Sequence, residues 1–357
     1  MDWADLPVEL LSLINSKLVG EAAHNFGLVC RSWRAVATAL PYRYSPCLMH
    51  YTKRNHLWNF SQFDNCIQMP LSYLENAEIR CSNFGWLLMS RVDNTLFFFD
   101  PFNNRNIELP CKLSYGYTAF CFSHPPTSPD CVVVGFATIY EGDRAIVKIC
   151  VLTHGSDAWE EIKYKHPKIK FFVSRGPPVF HRGFVHLLDV RGNVAIFDIK
   201  KHGCKSAWAV NNKCLKDYRY NREIKEHFLF KIRGEEDLFS VMLVNEERNV
   251  KMYRLSESNM KWKFEKDIGN KVLHLSHYSS SGDTAHLKCM ANRIYFPRFH
   301  ADSSVYYSLA TGMYHSHDGH FSSTNCYDVR RFDFATWIMP APTQESESST
   351  AGNSSWF

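Results

Sequence analysis

The sequence predicts a mainly β protein with a small α-helical module at its N-terminus, and three observations support this fold class. The 357 residues are 45% apolar and 22% charged, a composition typical of a folded globular chain. Residues 1–40 are rich in Leu and Ala, and their apolar positions recur with helical spacing. Past Pro41 the chain changes to short aromatic and β-branched runs separated by turn-forming residues, which is the pattern of strands and turns. We therefore expect a helical module over residues 1–40, a β domain over residues 41–340 and a disordered tail rich in Ser and Thr over residues 341–357.

The N-terminal module is predicted to contain three helices. Pro7 suits the first turn of a helix because its missing N–H is not needed there, and Glu9 complements the positive helix end. One face of the first helix, which we expect to end near Gly20, carries Leu10, Leu11, Ile14 and Leu18. A short second helix over residues 21–26 precedes a third one that Pro41 stops.

The apolar surface of this module exceeds what so small a unit is expected to bury. About forty residues lie near the lower limit for independent stability. We therefore expect some of this surface to be covered by another domain or another chain, which makes the module a candidate docking unit. The alternative at this point is an ordinary helical cap on the larger domain.

The order of residues in the module resembles the F-box. The matching stretch contains Leu6-Pro7-x-Glu9-Leu10-Leu11, then Ile14 and Leu18, then Val29-Cys30-Arg31-Ser32-Trp33-Arg34. The resemblance implies a three-helix module that binds the Skp-type adaptor of cullin-based ubiquitin ligases. It implies an adaptor-binding set made of Leu6, Pro7, Leu10, Leu11, Ile14, Leu18, Val29, Cys30 and Trp33. Within this set, Trp33 is expected to hold the module together.

Two stretches of the β domain match almost residue by residue. Residues 57–65 and 67–70 correspond to residues 96–104 and 107–110, and each pair predicts a strand, a turn and a second strand. Looser repeats place equivalent points at Phe60, Phe99, Cys150, Phe197, Tyr253 and Tyr307. Repeats of roughly 40–50 residues with four strands each are typical of β-propeller blades. We predict six blades, with seven as the alternative.

Further segments resemble plant F-box proteins that carry a C-terminal kelch-like F-box-associated domain of unknown function. The matching segments include Phe84-Gly85-Trp86-Leu87-Leu88-Met89, Phe99-Asp100-Pro101-Phe102 and Asn292-Arg293-Ile294-Tyr295-Phe296. The kelch double glycine itself is absent from the sequence. The resemblance implies a substrate-receptor subunit of a Skp-cullin-F-box ubiquitin ligase. Its implied partners are the adaptor, a cullin reached through that adaptor, and a target protein marked for proteasomal degradation.

No motif in the sequence predicts catalysis, and we expect neither an enzyme nor a cofactor. The chain has no Gly-rich phosphate loop and no G-x-S-x-G nucleophile elbow. His315, His317 and His320 have the spacing of a zinc site, but in a chain with 17 histidines a chance cluster beside a turn is the better interpretation. Two alternatives stay open: an F-box protein that binds the adaptor without delivering targets, and a propeller lectin or glycan-processing enzyme with a helical cap.

One basic segment is a candidate for target binding. Residues 200–233 hold ten Lys and Arg against three acids, and tyrosines interleave Lys216, Arg219 and Arg222. This composition suits an acidic or phosphorylated peptide. The net charge of +5 is too small to predict a nucleic-acid binder.

The sequence also predicts a cytoplasmic or nuclear location and no membrane partner. Two acids stand near the start where a secretory signal would carry bases, and no apolar run is long enough to cross a bilayer. The 12 cysteines are scattered through the chain without the dense spacing of a disulfide framework, so we expect reduced thiols.

Overall fold

The computed structural model describes most of the chain between the two termini. The described residues are 3–15, 18, 25–39, 46–52, 57–62, 65–69, 74–110, 112–114, 116–165, 170–201, 207–211, 224–244, 250–256, 260–285, 287–301, 303–317, 319–331 and 334–339.

The N-terminal module shows two helices within the part of the chain described. A 3-10 turn at Trp3–Asp5 leads to helix α1, Val8–Asn15, and helix α2 covers Arg31–Ala39. Helix α1 begins directly after Pro7, whose carbonyl accepts the N–H of Leu10 at 3.0 Å. Proline therefore stands where its missing N–H costs nothing, as predicted.

The other predicted helix boundaries fall outside the described residues. This holds for Gly20, for Pro41 and for most of the second helix predicted over residues 21–26, of which only residues 25–26 are described, as helical. The three-helix count of the module stays a prediction.

The rest of the described chain is built from 27 strands. The first seven are β1 (Cys47–Thr52), β2 (Leu57–Gln62), β3 (Asn65–Met69), β4 (Glu78–Asn83), β5 (Trp86–Ser90), β6 (Leu96–Asp100) and β7 (Arg105–Glu108). The next eight are β8 (Ala119–Phe122), β9 (Val132–Glu141), β10 (Arg144–Thr153), β11 (Glu160–Tyr164), β12 (Val179–His181), β13 (Phe184–Leu188), β14 (Val194–Asp198) and β15 (Trp208–Asn211). The last twelve are β16 (Ile224–Ile232), β17 (Leu238–Val244), β18 (Val250–Ser256), β19 (Lys261–Glu265), β20 (Lys271–Leu275), β21 (Ser280–Thr284), β22 (Arg293–His300), β23 (Ser303–Ser308), β24 (Met313–Ser316), β25 (Ser322–Ser323), β26 (Arg330–Arg331) and β27 (Ala335–Ile338).

These strands form four four-stranded sheets and one eleven-stranded sheet. The four small sheets have the orders β27-β1-β2-β3, β4-β5-β6-β7, β8-β9-β10-β11 and β12-β13-β14-β15. The large sheet begins with the antiparallel meander β16 to β19 and continues through the parallel pairs β16–β21 and β20–β22. Because these parallel pairs merge the last part of the chain into one sheet, the described strands do not divide into equal blades, and the count of six stays a prediction.

The sheets are arranged in a ring. Strand β27 contacts β4, β4 contacts β8, β8 contacts β12, β12 contacts β16, β16 pairs with β21, and β20 contacts β27. The ring closes because β27, from the end of the chain, pairs antiparallel with β1, with Met49 opposite Thr336. This is a propeller-like fold, with one edge strand of each small sheet next to a common axis.

The predicted repeat is confirmed at the level of strands. Phe60, Phe99, Cys150 and Phe197 lie on β2, β6, β10 and β14, each the third strand of its sheet counted from the axis. The predicted turn after β6 is also present, since the Asp100 carboxylate accepts the N–H groups of Phe102 and Asn103 at 3.0 and 3.2 Å.

The apolar cores lie between neighbouring sheets. Phe98 of one sheet packs with Phe122 of the next, their ring centroids 5.1 Å apart, and Phe136 packs in the same way with Phe197 at 6.0 Å. Across the described residues, no helix has both the length and the apolar character needed to span a membrane.

Candidate functional site: an apolar helical face and an axial cavity

The helical module has a small core of its own. Leu11, Phe26, Val36 and Ala37 are buried at its centre, and Leu11 has no exposed surface. Half-buried apolar side chains pack around this core, namely Leu6, Ile14, Leu18 and Trp33. The inner face of α1 therefore carries Leu11 and Ile14, three residues apart, and Leu18 joins the same core from beyond the end of the helix.

Trp33 joins the parts of the module to each other. Its ring lies 4.6 Å from the ring of Phe26, and its Nε1 donates a hydrogen bond to the carbonyl of Trp3 at 3.0 Å. The neighbouring Ser32 hydroxyl donates to the carbonyl of Ala4 at 3.1 Å. These contacts fasten α2 to the N-terminal turn, in agreement with the structural role expected for Trp33.

A second group of apolar side chains in the module faces water. Leu10 is 47% exposed and Val29 is 57% exposed. Four more exposed apolar residues accompany them: Trp3, Val8, Leu13 and Leu28. Together these six make up half of the twelve large apolar side chains that are exposed among the described residues. Apolar surface so concentrated in one small module is typical of a protein–protein contact.

The structure therefore divides the nine predicted adaptor-binding residues into three groups by exposure. Pro7, Leu10 and Val29 are exposed, whereas Leu11 is fully buried. The other five residues are half-buried: Leu6, Ile14, Leu18, Cys30 and Trp33. Sequence reasoning missed Trp3, Val8, Leu13 and Leu28, although the three-residue spacing of Leu10 and Leu13 places them on one side of α1.

A cavity of about 360 Å³ lies at the axis of the ring. It is lined by residues of the strands next to the axis or directly beside them, from β4, β8, β12, β16, β21 and the end of β27. The hydroxyl groups in its wall belong to Ser82, Ser123, Ser279, Ser280, Ser281 and Tyr278. Lys231 is the cation in this wall, and Phe84, Phe122 and Phe180 add apolar surface.

Two hydroxyl groups of the cavity wall have no hydrogen-bond partner among the residues that the structure describes. They belong to Ser82, which is only 8% exposed, and to Ser281, whose oxygen is buried. A buried polar atom without a partner costs free energy, so these two hydroxyl groups reduce the stability of the cavity wall.

A buried ion cluster surrounds Glu226 of β16. The Glu226 carboxylate receives hydrogen bonds from Arg298 at 2.9 Å and Arg331 at 2.6 Å, and Arg298 also donates to the Cys326 carbonyl at 3.2 Å. Burial raises the pKa of Glu226, but the two guanidinium groups outweigh burial and hold the pKa below its ordinary value. Burial lowers the pKa of the adjacent His277 to about 4.

The remaining predicted site residues give a mixed outcome. Lys216, Arg219 and Arg222 lie outside the described residues. His315 Nε2 lies 2.8 Å from the Thr311 hydroxyl, and the ring of His317 stacks on Tyr295 with centroids 5.5 Å apart. Within the described ranges, no group of three His, Cys, Asp or Glu side chains is arranged to hold a metal ion.

The ring of sheets and the appended helical module define the protein as a propeller-type protein with an N-terminal helical module. A family model described as the KIB1-4 beta-propeller matches residues 57–323, and the chain belongs to this family. An F-box/kelch-repeat protein of Arabidopsis thaliana is 28% identical over 324 residues, which are 88% of each chain. An F-box protein of the same plant is 29% identical over 308 residues, covering 83% of this chain and 76% of the relative. The resemblance to plant F-box proteins with a propeller domain is thereby confirmed.

Among solved structures, the chain is similar to YCF48 from Cyanidioschyzon merolae, with 10% identity, a TM-score of 0.36 and coverage of 58% of this chain and 66% of the other. Neither the family description nor the names of the two relatives mention an enzymatic activity.

Proposed function

We propose that this protein is the substrate-receptor subunit of a Skp-cullin-F-box ubiquitin ligase. Its N-terminal module binds the Skp-type adaptor, and through it a cullin, while the six-bladed propeller binds the target protein. The chain contributes proximity and performs no chemistry, because holding a target beside the ubiquitin-loaded enzyme raises the effective concentration of its lysines. Loops displayed on rigid blades are suited to recognise the target.

The observation that carries this proposal is the exposure of Leu10 and Val29 within the full chain. A helical cap would bury its spare apolar surface on the β domain. Leu10 and Val29 instead stay 47% and 57% exposed in the presence of the whole propeller. Their surface is free for a separate chain, and the F-box names of the relatives make the adaptor the natural candidate.

Burial also decides which substitutions test docking separately from folding. Replacing Leu10 and Val29 with Asp places charges on surface that already faces water, so we expect the module to stay folded. At an adaptor interface the same charges lose their hydration without a partner. Since truncating a single anchor residue costs about 2 kcal/mol or more, the double variant should bind the adaptor at least a hundredfold more weakly.

The test is co-purification of the tagged full chain with the Skp-type adaptor and the cullin. We expect wild type to retain both partners and the Leu10→Asp, Val29→Asp variant to lose both. The control is Val92→Asp, since Val92 is 77% exposed but lies on the propeller. Equal recovery with the double variant and with the control would refute the docking assignment. Adaptor recovered without cullin would favour an adaptor-binding protein that delivers no target.

We also propose a reducing location, the cytoplasm or the nucleus. In support, the eight cysteines whose side chains the structure describes are free thiols. Burial raises the pKa of Cys47 and of Cys131 to about 12, so these thiols stay protonated and unreactive at neutral pH.

A further inference from the structure

The hairpin of β9 and β10 extends beyond the other two strands of its sheet. Both strands are 10 residues long. Among the described residues, β8 pairs with β9 no further than Phe136, and β11 pairs with β10 no further than Val147. The tip of the hairpin therefore stands clear of its own sheet, and Tyr140, close to this tip, is 67% exposed.

Apolar side chains from three segments of the chain meet beside this tip. The ring of Tyr140 lies 6.1 Å from the ring of Phe172, and the Val190 N–H donates to the Phe172 carbonyl at 2.9 Å. Val190 is 49% exposed, and the exposed Arg191 places its guanidinium 5.7 Å from the centre of the Phe172 ring. We call Tyr140, Phe172, Val190 and Arg191 the rim patch. Exposed apolar surface that is contiguous is typical of a protein–protein contact.

The segments that carry the rim patch are held in place from below. The Thr138 hydroxyl donates to the Phe171 carbonyl at 3.3 Å and accepts the Val173 N–H at 2.8 Å, which fastens residues 171–173 to the hairpin. Asp189 has no exposed surface, and its carboxylate accepts the N–H of Arg191 at 2.8 Å. The patch is therefore ordered before any partner binds, and this reduces the entropy that binding costs.

The patch is bordered by positive charge. Residues 165–178, which connect β11 to β12 and include Phe172, contain three lysines, one arginine and no acid. Lys165, Lys170 and Arg191 are exposed, and none of them forms an ion pair within the part of the chain that the structure describes. These cations are available to a partner.

The acids close to the patch do not balance these cations. Glu141 is paired with Lys163 at 2.8 Å, and the Asp189 carboxylate is buried. Asp143 is an exposed acid at the hairpin tip. Because three unpaired cations face one unpaired acid, the surface around the patch is complementary to an acidic partner.

The patch also lies on the side of the ring away from the entry of the helical module. The second strand of the third sheet, β9, ends at the patch and starts on the opposite face. Strand β1 takes the same place in the order β27-β1-β2-β3, so it too starts on the opposite face. The chain that comes from α2 therefore enters the ring there, and a partner on the patch does not compete with one on the module.

We propose that the rim patch binds an acidic segment of a target protein that carries an aromatic side chain. The aromatic ring packs on Tyr140 and Val190, and a neighbouring carboxylate pairs with Arg191. Aromatic and Arg side chains are enriched among the residues that dominate interface energies. The proposal rests on the proposed function, because it names the surface and the chemistry by which the propeller receives its target. Binding of the segment needs no adaptor, so the two ideas can fail separately.

The test measures the binding of a fluorescein-labelled peptide to the full chain by fluorescence anisotropy. The peptide has one phenylalanine between three glutamates on each side, and we expect it to bind. A peptide with glutamine in place of every glutamate loses the charge-assisted pairs and should bind roughly tenfold more weakly or less. A peptide with alanine in place of phenylalanine loses the aromatic anchor and should be weakened by a similar factor.

Two variants of the protein test the two parts of the patch. Arg191→Gln removes the guanidinium, and Tyr140→Ala removes the exposed ring, so each should weaken binding roughly tenfold. Arg31→Gln is the control for the first, since Arg31 is exposed on α2 without an ion pair among the described residues. Phe264→Ala is the control for the second, since Phe264 is 49% exposed but lies on β19. Thermal melting of each variant verifies folding.

Each result of this experiment has one meaning. Weaker binding by Arg191→Gln and Tyr140→Ala, with unchanged binding by both controls, supports the proposal. Absence of peptide binding, equal binding of the three peptides, or equal effects of the variants and their controls would overturn it. Binding to phosphatidylserine vesicles without binding to the peptide would show a membrane surface and would also overturn it. If wild type recovers no adaptor and still binds the peptide, the patch assignment holds and the ligase assignment fails.

Discussion

Replacing Glu226 with Gln should destabilise the propeller by about 3 kcal/mol. The Glu226 side chain is 10% exposed and that of Arg298 is 6% exposed, so both charges have lost most of their water. Breaking a buried pair by removing one partner costs about 3–5 kcal/mol, because the other charge stays buried without compensation. Gln keeps one acceptor oxygen, so the expected loss of about 3 kcal/mol lies at the lower end of this range. Arg331 adds little, since its side chain is 35% exposed and regains water.

Thermal unfolding of the full chain measures this change. At roughly 2–4 °C per kcal/mol for large domains, the midpoint should fall by about 6 °C. Adding Arg298→Met to the variant removes the stranded charge, so the double variant should recover part of the loss. Arg331→Gln is the control with the smaller expected effect. A midpoint within about 2 °C of wild type for Glu226→Gln, or no recovery with Arg298→Met, would refute this reasoning.

The pair of Glu226 and Arg298 also makes the stability of the protein depend on pH. The pKa of Glu226 is lowered in the folded protein, so the folded state binds its proton less readily than the unfolded state does. The contribution of Glu226 is therefore fully present above the ordinary glutamate value of about 4.3 and is lost as the pH falls through the lower folded value. Below pH 4 the difference in midpoint between wild type and Glu226→Gln should shrink, and a constant difference would contradict the pKa direction.

Three further predictions follow from single contacts. Trp33→Phe keeps the contact with Phe26 and loses the hydrogen bond to Trp3, so chemical denaturation should show a free energy of unfolding of the module lower by about 1 kcal/mol. An unchanged free energy of unfolding would mean that this hydrogen bond does not contribute to stability. Gly135→Ala should lower stability by about 1–3 kcal/mol in thermal melting, because the new Cβ would lie 2.6 Å from Cys150 Sγ. A loss below about 0.5 kcal/mol would show that the neighbouring side chains shift to make room for the new methyl group. Burial lowers the pKa of His227 to about 4, so wild type should lose stability as the pH falls from about 6.5 to 4. His227→Gln should reduce the slope of stability against pH in this range, and an equal slope would show that His227 does not cause the pH dependence.

The strand repeat could be predicted because it depends on local patterns. Phe99 and Phe197 lie in short apolar runs that are followed by turn residues, and each run forms the third strand of a four-stranded sheet. Hydrophobic periodicity and turn chemistry act over a few residues, so one sequence contains the whole signal. The exposed surface of the module was partly predictable as well, since Leu10 and Val29 belong to the expected adaptor-binding set.

The ion cluster and the axial cavity could not be predicted from local patterns. Glu226 is 72 residues from Arg298 and 105 from Arg331 in the chain, and only the ring of sheets brings the three together. The parallel pairing of β16 with β21 is equally non-local, and it makes Ser281 a neighbour of Lys231. Composition showed a basic segment over residues 200–233, but not that Lys231, among the cations of this segment that the structure describes, would line the cavity.

Closure of the ring connects stability with the proposed role. Strand β27 pairs with β1, and it is also held on the side of the last sheet, where Trp337 Nε1 donates to the Tyr295 carbonyl at 3.1 Å and the Thr336 hydroxyl lies 3.1 Å from that of Ser276. The first and last sheets are therefore joined through a strand whose Thr336 and Ile338 have no exposed surface. A receptor that works by proximity must hold its target at a fixed distance from the adaptor, and a ring that opens would let that distance vary. In the proposed role, the burial of this closing strand on both sides holds the first and last sheets together and so keeps that distance fixed.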